Sequence, residues 1–160
     1  MSLKFYTVDR EYTDFLRKFD DRVPMEHPES YRRPYIGIIL EVNDCKYFAP
    51  MSSPKAKHKN LHGKDLYKIG GGEYGIINFN NMIPVVEGCY HLLNISLEDD
   101  SYKELLYNQY RDIRRNADKI KKIATRLRGM YIHGHISPGL KGRCCNFRLL
   151  EEKCKYYEAH

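Results

Sequence analysis

The chain has 160 residues, 42% of them hydrophobic and 30% charged, with a net charge of +6. That length suits one domain spanning residues 1–160 with a real core, and the composition excludes a disordered chain. No apolar run approaches a membrane span, MSLKFYTVDREY has no signal-peptide core, and five cysteines without C-x-x-C spacing fit a reduced compartment, so the cytosol is the expected location.

Charge is distributed unevenly. Residues 1–50 carry −1, 51–64 carry +4, 65–100 carry −5, 101–128 carry +6 and 129–160 carry +2. Positive charge gathered in one loop and one helical region favours a polyanionic partner. Fourteen tyrosines can stack on unpaired bases, although most belong to core and rim.

Leu3–Val8 alternates as a short strand. Asp9 is placed to cap a helix carrying Tyr12, Phe15, Leu16 and Phe19 at i, i+3, i+4 and i+7, ending near Asp20-Asp21. Residues 22–34 hold three prolines and read as a loop ending in Tyr31, Arg32 and Arg33, which can be phosphate and base contacts or simply a charged loop end.

Tyr35–Val42 is a strong strand, Asn43-Asp44 a two-residue turn, and Cys45–Ala49 the returning strand. A loop then begins at Pro50. From residue 51 to 64 it holds Lys55, Lys57, Lys59 and Lys64, with His58 and His62 and no acid. A run of this kind is often only solvated. Yet Ser52 and Ser53 stand before Pro54-Lys55, and hydroxyls beside a lysine make a phosphate site. The two outer ends of an antiparallel hairpin lie side by side, so Tyr31 and Arg33 are expected to approach Ser52, Ser53 and Lys55.

Leu66–Ile69 reads as a strand and Gly70-Gly71-Gly72 as a turn; the triplet lacks a P-loop lysine pattern. Glu73–Phe79, Ile83–Val86 and Cys89–Ile95 complete the strands, with an edge or bulge at Pro84. Short antiparallel strands spaced this way predict a small, strongly twisted barrel or half-barrel. Ser101 and Glu104 fit a capping box for a helical stripe running to about Met130, which Asn116 and Asp118 can divide in two. Nine basic residues against three acidic ones lie between 101 and 128, either a solvated face or a surface for phosphates. Residues 133–142 read as a loop, and Asn146 caps a last helix to Tyr157.

His133, His135, Cys144 and Cys145 are zinc-ligand types without zinc-finger spacing. Cys45 and Cys89 lie in strands as core residues. No nucleophile elbow, Walker loop or paired-carboxylate motif is present.

KFYTVD, the R-P-Y-I-G-I strand, Y-F-A-P-M-S-S-P-K, N-N-M-I-P-V and the terminal K-G-R-C-C-N-F-x-L-L-E-E-K together resemble the ToxN/AbiQ family, the endoribonuclease toxins of type III toxin–antitoxin systems, including the CptN branch. The likeness runs in order over nearly the whole chain. It implies an α+β fold whose twisted antiparallel sheet forms a partial barrel, similar to MazF/Kid, flanked by helices. It also implies metal-independent cleavage of single-stranded RNA with no cofactor. The implied partner is a small repeated RNA antitoxin, a pseudoknot that the toxin cuts from its precursor and holds in a cyclic assembly, with a role in phage defence. By position, Ser52, Ser53 and Lys55 match the family's serine/threonine-serine-x-lysine pattern and Tyr31 its tyrosine before the second strand. Arg33, or else Arg32, stands for the basic residue that follows, and Tyr12 for a groove residue. Lys57, His58, Lys59, Arg111, Arg114, Arg115, Lys119 and Lys122 are candidate RNA contacts. Tyr31, Lys55 and His58 are each open as the general base. A non-catalytic RNA-binding module or a zinc-binding regulator are the alternatives.

Overall fold

The computed structural model describes residues 2–26 and 33–158. Its elements are β1 (Lys4–Val8), α1 (Arg10–Arg17), β2 (Tyr35–Val42), β3 (Cys45–Ser52), β4 (Leu66–Lys68), β5 (Ile76–Asn78), β6 (Ile83–Val85), β7 (Tyr90–Leu92), α2 (Asp100–Arg115), α3 (Ala117–His133), α4 (Pro138–Arg143) and α5 (Phe147–Lys153).

All strand pairs are antiparallel, in the order β4-β5-β3-β2-β1-β7, with β6 on β3 as a branch. The sheet curls without closing, and β4 and β7 remain as its ends, which is a partial barrel. The curl originates at β3. Its first half, Lys46–Phe48, pairs with β6, while Met51 and Ser52 pair with β5.

β2 reads apolar on both faces because both are covered; Tyr35, Ile36 and Ile39 are buried. The β2–β3 turn places Asn43 at φ 51° and Asp44 at φ 63°, the left-handed pair that a two-residue hairpin turn needs. β3 runs on through Pro50 to Ser52, beyond the expected end at Ala49. Proline is tolerated because Met51 N–H, at 3.0 Å, and not residue 50, donates to Pro34 O.

α3 packs on β2 and α5 on β6. Ile120, Ala124 and Leu127 form the buried stripe of α3, at the i, i+4, i+7 spacing of one face. The expected split between α2 and α3 falls at Asn116, whose Nδ2 donates to Asp112 O at 2.8 Å. The cap of α2 is Asp99, which accepts Tyr102 N–H at 2.9 Å, rather than Ser101, whose hydroxyl donates to Asp99 at 3.1 Å.

Three other expectations are corrected. β5 holds only Ile76–Asn78, since the preceding residues turn through glycines at positive φ. β7 ends at Leu92, short of Ile95. Residues 138–143, expected as loop, form α4, started by Ser137 as cap and Pro138 in the first turn. As expected, Asn146 caps α5 by accepting Leu149 N–H at 3.1 Å, although α5 gives way to a 3₁₀ turn after Lys153.

One polar cluster crosses the core. Glu151 accepts Arg128 Nε at 2.7 Å and Nη2 at 2.9 Å, and also accepts the Tyr47 hydroxyl. No helix among the described residues is long and apolar enough to cross a membrane.

Candidate active site

The hairpin register decides what meets at its outer end. Tyr35 pairs with Pro50, so Arg33, two residues before Tyr35, lies beside Ser52, two after Pro50. Both line one cleft of about 240 Å³, together with Arg22, Asn78, Asn81, Pro24 and Pro50. Among the described residues the lining includes two arginines, two asparagines and one serine, and no acidic residue. That is an environment for an anion.

The Ser52 hydroxyl is already oriented. Asn78 Nδ2 donates to its Oγ at 2.7 Å, which leaves the serine proton free to point at a ligand in the cleft. Asn78 ends β5, and β5 is paired with Ser52 itself. Arg33 donates its backbone N–H to Glu26 Oε2 at 3.2 Å, while its Nε is buried with no partner among the described residues. Opposite, Arg22 donates Nε to Asp20 Oδ1 at 2.9 Å, and this bond keeps the guanidinium charged. Arg22 O accepts Asn81 Nδ2 at 2.9 Å.

Beyond Ser52 the chain runs as a short 3₁₀ turn over Ala56–Asn60. Ser53, Lys55, Lys57 and Lys59 are exposed. His58 differs: it is 1% exposed, and it closes the turn on Lys55 twice. His58 N–H donates to Lys55 O at 3.0 Å, and Lys55 N–H donates to His58 Nδ1 at 3.2 Å. Burial, then the charges of Lys55 and Lys57, hold the imidazole below the usual histidine range. It is a neutral ring used as an acceptor.

The glycine triplet supplies the floor of this loop. Gly72 has φ +100°, and a Cβ there would stand 3.0 Å from the His58 carbonyl group. Gly75, also at φ +100°, would drive a methyl into Ser52 O. Gln109 Nε2, from α2, donates to Tyr74 O at 2.8 Å and ties this floor to the helices. Lys68 Nζ donates to Lys59 O at 3.1 Å and ties the far end of the loop to β4.

Not every expected site residue falls in place. Tyr31 and Arg32 lie outside the described residues. Tyr12 does not line a groove: it is fully buried, its hydroxyl donates to Pro84 O, and burial raises its pKa far above any working range. A tyrosine on the apolar stripe of α1 is drawn into the core. His58, expected on the exposed loop, is likewise internal.

Arg111, Arg114, Arg115, Lys119 and Lys122 are all exposed on α2 and α3. Of these, Lys119 reaches β4, its Nζ lying 5.9 Å from the Tyr67 ring centre, and Tyr67 donates its hydroxyl to Asp112 of α2 at 2.6 Å. β4 is one strand from β5, the strand that carries Asn78. Cys144 and Cys145 are fully buried between α4 and α5, and no group of three or more His, Cys, Asp or Glu among the described residues is placed to hold a metal.

Arg22, Asn78 and Asn81 escaped the sequence reading. Their only signal was a polar N-N after a strand and an arginine inside an acidic run. The partners of Asn78 and Asn81, Ser52 and Arg22, are tens of residues away.

A family model for the toxin ToxN of type III toxin–antitoxin systems matches residues 4–155. The endoribonuclease ToxN of Pectobacterium atrosepticum is 37% identical over 161 residues, covering 94% of this chain and 91% of that protein. A solved structure described as a processed non-coding RNA regulating a bacterial antiviral system superposes with a TM-score of 0.86 at 35% identity, over 98% of this chain and 99% of that one. Another, on type III toxin inhibition by a non-coding RNA pseudoknot, has a TM-score of 0.84 at 30% identity and covers 100% of both chains.

Proposed function

The chain belongs to the ToxN toxin family of type III toxin–antitoxin systems and is an endoribonuclease, and from that premise we propose how it cuts RNA and what restrains it. The 2′-hydroxyl of a single-stranded RNA attacks the neighbouring phosphorus. A 2′-O–P bond forms and the P–O5′ bond breaks, leaving a 2′,3′-cyclic phosphate and a 5′-hydroxyl. The 2′ proton passes to a base and the departing 5′ oxygen takes one up.

The observation that carries this reading is the shared cleft of Arg33 and Ser52, with the Ser52 hydroxyl held by Asn78. Arg33 and Lys55 supply fixed positive charge where the pentavalent phosphorus gains negative charge, the interaction that lowers such barriers most. Ser52 and Ser53 donate to the non-bridging oxygens. With His58 internal and Lys55 serving as a cation, Tyr31 is the remaining candidate for the base. No step draws on a metal ion.

The restraining partner is a small repeated RNA, a pseudoknot, that the enzyme cuts from a precursor and keeps bound in a cyclic assembly. Lys57, Lys59 and the exposed cations of α2 and α3 contact its phosphates. The setting is the cytosol, and the role is defence against phage.

Cleavage of a single-stranded, A-rich RNA with mapped ends tests the chemistry. Ser53→Ala and Lys55→Ala should each lose about 10²–10³ in rate, the cost typical of removing one charge-stabilising donor. Antitoxin RNA should still bind both variants. Full cleavage by both would remove the site, and inhibition by chelators would remove the metal-free route. RNA binding without any cut in the wild type would leave only a binding module.

A further inference from the structure

We propose that Arg22 is a second phosphate-binding side chain of this cleft, holding the phosphodiester next to the one that is cut. This rests on the proposed cleavage at Arg33 and Ser52. Arg22 and Arg33 enter the same cleft from different parts of the chain, Arg22 just after α1 and Arg33 from the hairpin. Two arginines lining one space, with no acidic residue among its described lining, concentrate positive charge there and favour an anion between them.

Arg22 is also held in position. Asp20, 5% exposed, accepts both Nε and the backbone N–H of Arg22, and its other oxygen accepts Asn146 N–H. Asn81 grips Arg22 O. Nη1 reaches Gly142 O only at 3.3 Å, and Nη2 has no hydrogen-bond partner among the described residues. The guanidinium side chain is 38% exposed. Arg22 is thus anchored by Nε while its side chain stays partly exposed and the residue lines the cleft.

The tether assigns Arg22 to a neighbouring phosphate rather than the reacting one. Asp20 offsets part of its charge at 2.9 Å. A partly neutralised cation suits a phosphate whose charge does not change. The growing charge at the reacting phosphorus calls for cations without such a counter-ion, and Lys55 has no acidic neighbour in its loop.

Binding of a single-stranded oligonucleotide with a 2′-deoxy sugar at its one cut site, which cannot be cleaved by 2′-OH attack, tests this across a salt series. Arg22→Ala should weaken binding about tenfold or more at low salt, as loss of a charged hydrogen bond does. It should also lower the slope of log affinity against log salt by about 0.7, the release from one phosphate of a single strand. Methylphosphonate placed at each phosphate in turn should weaken wild-type binding at one position beside the cut, and Arg22→Ala should make that same position silent. Arg22→Gln, which keeps a donor for Asp20, should behave like Arg22→Ala; thermal melting of both confirms that they are folded. An unchanged salt slope, losses that multiply at every position, or silence only at the cut phosphate would each overturn the assignment. Failure of the wild type to cleave the all-ribose oligonucleotide would overturn the cleavage reading and leave this binding result standing.

Discussion

Lys55 and His58 hold each other by two hydrogen bonds, Lys55 N–H to the imidazole Nδ1 at 3.2 Å and His58 N–H to Lys55 O at 3.0 Å. The lysine proposed to face the phosphate is therefore fixed by a buried ring three residues on. His58→Ala should slow cleavage roughly tenfold, the upper range for one hydrogen bond, while His58→Asn, with an oxygen near the Nδ1 position, should recover most of the rate. Equal rates for wild type and His58→Ala would show that the ring does not position Lys55.

The same ring sets a pH dependence. Burial, then Lys55 and Lys57, lower its pKa in the folded chain. The unfolded chain therefore takes up the proton first as pH falls. The contribution of His58 to stability is complete above the ordinary histidine value of about 6.5 and fades as pH drops from there toward and through the lowered one. Melting of wild type and His58→Asn between pH 8 and pH 5 should show their difference shifting against the wild type at the acid end.

Asn78 and Ser52 allow a test of hydroxyl direction. With Asn78 Nδ2 donating at 2.7 Å, Ser52 has a proton to give to the substrate. Asn78→Ala should cost a few-fold to roughly tenfold in kcat through a looser rotor. Asn78→Asp should cost more, because the carboxylate draws that proton to itself and adds a negative charge to the cleft. If Asn78→Asp is the milder change, Ser52 acts as an acceptor.

Gly75 is expected to tolerate no side chain. At φ +100° any other residue is strained by roughly 1–3 kcal/mol, and its Cβ would meet Ser52 O, a backbone atom that cannot rotate away. Gly75→Ala should lower the melting temperature, by roughly 2–4 °C for each kcal/mol in a chain of this size, and reduce cleavage beyond what the lost stability explains. Gly71, which has nothing within 4 Å of an added Cβ, is the control of similar chemistry.

The hairpin that brings Arg33 to Ser52 was legible in the sequence. Its strands are strongly apolar and its Asn-Asp turn permits one register. Asn78 and Gly75 were not legible, because what they do is defined by Ser52, more than twenty residues away. His58 was misread for a related reason: inside a run of lysines its polarity looks like solvent exposure, and only Gly72 packed against its backbone shows otherwise. Tyr12 erred in the other direction, since its place on the α1 stripe fitted the core better than a groove. The α4 turn was missed where its Ser-Pro start was short and glycine-rich.

Glu151 with Arg128 and Tyr47 predicts an acid limit. Burial pushes the carboxyl up, but the bonds from Arg128 and Tyr47 outweigh it and hold it below its usual range. The stabilisation is present above the ordinary carboxyl value of about 4.3 and is lost as pH falls through the lowered one. Glu151→Gln leaves Arg128 inside without its counter-charge and should cost about 3–5 kcal/mol in urea denaturation at pH 7. A loss under 1 kcal/mol would mean that Arg128 finds solvent.

The cleft walls are joined from the far end of the chain: Cys145 N–H donates to Asn80 O, and Asn146 N–H to Asp20. During synthesis, a ribosome that has not yet released these two residues carries a nascent chain whose walls lack both of these bonds and keep the one from Asn81 to Arg22 O. A chain stopped at residue 143 should therefore lack cleavage activity and leave colonies growing.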